Sequence, residues 1–144
     1  MAKSKVKSLQ NKAEKLWKIY CLMRDGDECQ VKVHFSEIAV NHNEILQVDH
    51  CFSRSIKELF LDVCNGTVVC RTCNMIKGSG KIGASKKDAI TVAIHEIVKK
   101  KYGQDTYNRM LEIASSMAVF PSWKNISYLE EQIQILEELI RELL

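Results

Sequence analysis

The stretch VDHCFSRSIKELFLDVCNGTVVCRTCNMIKG, residues 48–78, decides the reading of the chain. Asp49 and His50 end an apolar run, ILQV (45–48), that reads as a strand. Asn65 follows fifteen residues after His50 and opens GTVVC (66–70), a short β-branched run that reads as a second strand. Cys70 and Cys73 form a C-x-x-C at the end of that run. Asn74 stands directly behind it, and Lys77-Gly78 follows. RTCNMIKG (71–78) reads as a brief helix stopped by Gly78. SRSIKELFL (53–61) has room for one helical turn between the two strands.

Two antiparallel strands followed by a helix would bring His50 and Asn74 around one phosphate. Phosphodiester hydrolysis needs a base to take a proton from the attacking water, and a neutral imidazole suits that role. It also needs a hard cation, typically Mg²⁺, for the developing negative charge. Asp49 and the side-chain oxygen of Asn74 suit such an ion. Asn65 could brace the loop and orient His50 through a hydrogen bond; as part of an Asn-Gly pair it also reads as a plain turn. Cys70 and Cys73 have the spacing of a structural zinc knuckle, with Cys29 upstream as a third ligand. Arg54, Lys77 and Lys81 flank the site and could contact DNA phosphates, or be ordinary surface charge.

Upstream, Val6, Leu9, Ala13, Leu16, Tyr20 and Met23 recur at helical spacing, and Gly26 is a plausible stop. Residues 28–50 read as β-structure, because Cys29, Val31, Val33 and Phe35 alternate with polar residues and NHNE (41–44) signals a turn. Downstream, SGKIGA (79–84) is a basic, glycine-containing loop. Ser85 with Asp88 suggests a capping box opening a helix over roughly 86–102. Gly103 closes it, and another helix spans about 106–118. Ser127 and Glu130 form a second box, after which Leu129, Ile133, Leu136, Ile140 and Leu143 make a heptad-like stripe. That stripe is expected to pack on the domain, or on the N-terminal helix of its own or a partner chain. The organisation expected is a basic helix over 1–26, a core over 27–84 and a helical region over 85–144.

The formal net charge is +3, but its distribution is uneven. Residues 1–24 hold seven Lys/Arg against one Glu, giving +6; residues 127–144 hold five Glu against one Arg, giving −4. No apolar run approaches the ~20 residues that cross a bilayer, and MAKSKVKSLQ lacks the apolar core of a secretory signal. A cytoplasmic setting is expected, with the six cysteines as free thiols or metal ligands.

These residues resemble the HNH (ββα-metal) endonuclease family, and more closely the phage Rap/NinG recombination nucleases. MRDGDECQVK (23–32) looks like the usual lead into an upstream knuckle, QVDH like the catalytic strand, and CNGTVVCRTCNMIKGSG like the Asn-strand-knuckle-helix portion. The LFLDVCN spacing, a Tyr102-Gly103 turn and the Trp123 lead into an acidic final helix extend the likeness over roughly 20–140. The resemblance implies His50 as general base, Asn65 as the structural Asn, and Asp49 and Asn74 as ligands of a catalytic Mg²⁺ or Mn²⁺. It further implies an endonuclease acting in a bacterial host on branched DNA, such as Holliday junctions and D-loops, and leaving 5′-phosphate and 3′-hydroxyl ends. A homodimer would suit such substrates.

Lys32 stands where the second upstream knuckle cysteine is usual, so Cys29, Cys70 and Cys73 need a fourth partner. His34 is favoured for its closeness to Cys29, with Cys21, Cys51 and Cys64 as alternatives; otherwise zinc is absent and the thiols pack as small hydrophobes. His42 reads as an exposed turn residue, His95 as a half-buried one. Trp17 and Trp123 read as core anchors, with base stacking as the alternative. The fold expected is α+β: a small zinc-stapled ββα core flanked by helices from both termini. Two rival readings stand beside it, an HNH enzyme acting on linear duplex and a non-catalytic zinc module that binds nucleic acid.

Overall fold

The computed structural model describes residues 2–78 and 84–144, with side chains described for 4–77 and 88–144. It is a helix-rich α+β arrangement around a two-stranded antiparallel sheet. Helix α1 (Ala2–Arg24) is followed by a short α2 (Gln30–His34), strand β1 (Leu46–His50), strand β2 (Gly66–Cys70) and helix α3 (Arg71–Gly78). Helices α4 (Ala84–Tyr102), α5 (Gln104–Ser116) and α6 (Ile126–Leu143) complete the chain.

The strands pair from Leu46 opposite Cys70 to His50 opposite Gly66. The ladder runs one bond further at each end, Cys51 N–H to the Asn65 carbonyl and Arg71 N–H to the Ile45 carbonyl, both 2.8 Å. β2 is buried along its whole length, which explains its unbroken apolar run. Its two valines serve opposite faces. Val69 packs with Cys29, Val31, Ile90, Ile94 and Met110, whereas Val68 packs with Trp17, Phe60, Ile133 and Leu136.

α1 leaves its last turn through Gly26 (φ 69°) and Asp27 (φ 56°), left-handed geometry that Gly adopts freely and Asp tolerates. The fully buried line on α1 is Ala13, Trp17 and Cys21, flanked by half-buried Leu9, Leu16 and Tyr20. The stripe of α6 packs on α1 of the same chain, with Leu129, Ile133 and Leu136 buried and Leu143 44% exposed. Asn125, not Ser127, caps α6: its side chain accepts the Tyr128 N–H at 3.0 Å, and Ser127 is the second residue of the first turn. α4 begins at Ala84, ahead of the expected box, and the Ser85 side chain lies outside the described residues.

The β-reading of 28–45 is corrected. Cys29 caps α2 instead of opening a strand, Val31 is buried and Val33 is 50% exposed. Gln30 holds this turn by donating to the Asp25 and Glu28 carbonyls at 3.2 and 3.1 Å. Residues 35–45 form no regular element.

Candidate functional site

Antiparallel pairing dictates what meets the C-x-x-C. Because Leu46 lies opposite Cys70, the chain just before β1 runs beside the start of α3. His42 is on that segment. Its Nδ1 lies 3.7 Å from Cys29 Sγ and 3.5 Å from both Cys70 Sγ and Cys73 Sγ, and Cys29 Sγ is 3.9 Å from Cys73 Sγ. A tetrahedral zinc, with bonds of about 2.3 Å to sulfur and about 2.0–2.1 Å to nitrogen, has ligand–ligand edges of roughly 3.5–3.8 Å. The four side chains therefore fit the ion, and the Cys29–His42–Cys70–Cys73 group can hold a metal such as zinc. The Cys29–Cys73 sulfur contact lowers the Cys29 thiol and raises the Cys73 thiol.

The fourth member of the cluster is His42, and the expectation of His34 is corrected. His34 ends α2, where burial and the ammonium groups of Lys100 and Lys101 lower its pKa, and it takes no part in the cluster. Cys21, Cys51 and Cys64 also lie outside the cluster; burial pushes the Cys21 and Cys51 thiols up to about 12.

β1 splits the remaining candidates by strand alternation. Gln47 and Asp49 meet α3: Asn74 Nδ2 donates to Gln47 Oε1 at 2.5 Å, and one turn on, the Lys77 ammonium pairs with Asp49 Oδ2. Lys77 also donates to the His50 carbonyl at 3.0 Å. Burial pushes the Asp49 carboxyl up and Lys77 pulls it back. Lys77 is therefore part of this ion pair rather than a free surface cation. Asn74 Oδ1 has no protein partner among the described residues.

His50 turns its ring the other way, toward α1. It stacks on Trp17 (centroids 4.2 Å apart, planes at 15°) and lies 4.6 Å from Phe60. Its Nε2 is 2.9 Å from the Phe60 carbonyl. A carbonyl only accepts, so Nε2 carries the proton and Nδ1 keeps its lone pair. Burial pushes the imidazole down to about 4, opposed by the Phe60 bond and aided by Arg54. The ring is neutral at physiological pH.

Asn65 is fully buried and braces the loop as expected. It accepts the Phe52 N–H at 2.7 Å and donates to the Phe52 and Leu59 carbonyls at 3.2 and 3.1 Å. Its expected bond to His50 is corrected: the Phe60 carbonyl makes that bond, so Asn65 acts on His50 only through the loop it closes.

A groove of about 330 Å³ follows the open edge of β1, lined by Lys18 and Leu22 of α1, Gln47 and Val48 of β1, Arg54 and Asn74. Arg54 is exposed and bonds Glu14 at 3.2 Å. Lys81 lies outside the described residues. Sequence reasoning passed over His42 and Trp17 as site residues. Adjacency to Cys70 across the ladder was the available signal for His42; no local signal marks Trp17. His95 is half-buried as expected, with Nδ1 2.8 Å from the Tyr107 hydroxyl.

Comparison with protein-family profiles, curated proteins and solved structures finds no match to this chain.

Proposed function

We propose that this chain is a metal-dependent DNA endonuclease with His50 as general base, stapled by zinc in the Cys29–His42–Cys70–Cys73 cluster. The observation that carries this reading is the Nε2–Phe60 bond, which fixes one tautomer and leaves His50 Nδ1 as a neutral acceptor, on the face of β1 opposite Asp49. Trp17 holds the ring from one face, so the base is oriented before substrate arrives.

Asp49 and Asn74 are the oxygen donors for a second, hard cation such as Mg²⁺ or Mn²⁺. The ion would take the place of the Lys77 ammonium against Asp49, and Asn74 Oδ1 has no protein partner among the described residues. When bound, such an ion supplies stabilisation of charge on the phosphorane and the leaving oxygen. The edge groove joins the two faces of β1, since it touches Val48 on the His50 side and Gln47 and Asn74 on the other. A phosphodiester lying over that edge has Lys18 and Arg54 as its cationic flanks. Branched DNA as the preferred substrate rests on the family resemblance alone.

One observation favours a second reading. His50 is only 5% exposed, as a purely structural histidine in a zinc-stapled nucleic-acid-binding module would be. Incubating zinc-loaded protein with a labelled four-way junction and a matched linear duplex, with and without Mg²⁺, separates the readings. Metal-dependent cutting, faster on the junction and leaving 5′-phosphate ends, is expected. Equal rates on both substrates remove the branched preference. Binding without any cutting overturns the nuclease and leaves the module.

A further inference from the structure

A second groove, of about 560 Å³, opens between Ser55–Lys57 and the 118–124 segment, one residue along the chain from Arg54 of the edge groove. Its floor is Val119, Phe120, Pro121 and Trp123; Lys57 and Lys124 stand at its rims. Phe120 and Trp123 are both half-exposed, so their rings are not consumed by the core. Trp123 leans on Phe60 with centroids 4.7 Å apart, which fixes its plane. The Lys57 ammonium sits 5.4 Å from the Trp123 ring and 4.5 Å from the Phe60 ring, tethered by the Arg54 carbonyl at 2.9 Å.

Among the described residues Lys57 and Lys124 are the charged groups that line the groove, while Glu58, Asp62 and Glu131 act on Tyr128, whose ring stands edge-on to Phe120. Lys57 feels the positive charges of Arg54 and Lys7; Glu14, which also faces it, is paired with Lys18 and Arg54. The cations Lys18, Arg54, Lys57 and Lys124 thus run from the edge groove along the 54–57 segment to the aromatic floor. Fixed aromatic faces beside a cationic track are what unpaired nucleotides bind: bases stack on the rings and phosphates follow the cations. A duplex hides its base faces and gains nothing from such a floor.

We infer that the Phe120–Trp123 groove, rimmed by Lys57 and Lys124, binds an unpaired, single-stranded segment of DNA next to the proposed cleavage site. This rests on the reading of DNA as substrate, and it locates where a branched substrate would place its open strand.

Tryptophan fluorescence of the full chain reads this binding directly, because Trp17 is fully buried and Trp123 is the indole a base can reach. Titration is done without divalent metal, using an oligothymidylate and a matched duplex, so that it does not depend on cutting. Expected are quenching of the wild type by the single strand and, from the anisotropy of a labelled oligothymidylate, a loss of single-strand affinity of about fivefold or more in Trp123→Ala and a smaller loss in Lys124→Gln. Duplex affinity stays within about twofold. The exposed Lys124→Gln change guards against misfolding of the tryptophan variant. Absence of quenching, or equal weakening for both DNAs, overturns the inference. So does quenching that follows protein concentration without DNA, which would mean that a second copy covers the groove. Quenching that survives while no substrate is cut in Mg²⁺ leaves the groove standing and removes only the nuclease.

Discussion

With its Nδ1 3.5–3.7 Å from three sulfurs, His42 tethers the loop before β1 to α3 and to the cap of α2. No other contact among the described residues joins these segments with comparable chemistry. A structural zinc in such a cluster contributes folding free energy outright, so losing one ligand costs both metal and stability. His42→Ala is expected to cut bound zinc well below one ion per chain and to lower Tm by several degrees. His34→Ala is expected to leave both unchanged. Metal content by elemental analysis, with a thermal melt, checks this; equal zinc loss in the two variants removes the assignment. The three cysteines of the cluster were legible in the sequence because Cys70 and Cys73 have knuckle spacing and Cys29 stands upstream of them. His42 was not, because a ligand's place in a polar loop depends on strand register, which spacing along the chain does not reveal.

Asp25 links four elements from the end of α1. Its fully buried carboxylate meets Arg24 at 2.9 Å, Lys101 of α4 at 2.7 Å and the Val68 N–H of β2 at 3.2 Å, while its carbonyl accepts from Gln30 of α2. Arg24 extends the network to the Val63 and Gly66 carbonyls at 2.6 and 2.7 Å. Burial raises the Asp25 carboxyl, but Arg24 and Lys101 outweigh it and hold it below its ordinary 3.8. A lowered carboxyl contributes stability that is full above the ordinary value and is lost as pH falls through the folded one. Asp25→Asn should therefore cost about 3 kcal/mol near neutral pH. The gap to the wild type should narrow as pH falls below the ordinary carboxyl value of 3.8 and through the lower folded one. Denaturant melts across that range check it; a gap that stays constant into acid contradicts the assignment. This clamp was invisible in the sequence, where Asp25 read only as part of a polar lead into Cys29. β2, α3 and the C-terminal helices were legible, because their apolar runs are either short and β-branched or long and periodic. α2 was not: apolar residues at 29, 31, 33 and 35 satisfy a strand's alternation, and the sign of a helical turn, Val31 buried with Val33 50% exposed, is visible only in the fold.

The two ends of the chain build the site together. Basic α1 packs against acidic α6, and that pairing delivers Trp17 over His50 and Lys18 to the edge groove. Gly66 permits the approach. A Cβ there would lie 2.6 Å from Cys21 Sγ and 2.7 Å from the Trp17 ring, so the Asn65-Gly66 pair is a site of close packing as well as a turn. The stacked ring with its fixed tautomer lies on one face of β1 and the Asp49–Lys77–Asn74 group on the other, and the proposed purpose of the two together is hydrolysis at the strand's edge. The most direct test is the single-turnover cleavage rate of His50→Ala against the wild type, on DNA both proteins bind, with zinc loaded and Mg²⁺ present. The account predicts a rate lower by at least about 10²-fold with DNA affinity retained; equal rates in the two proteins would contradict it.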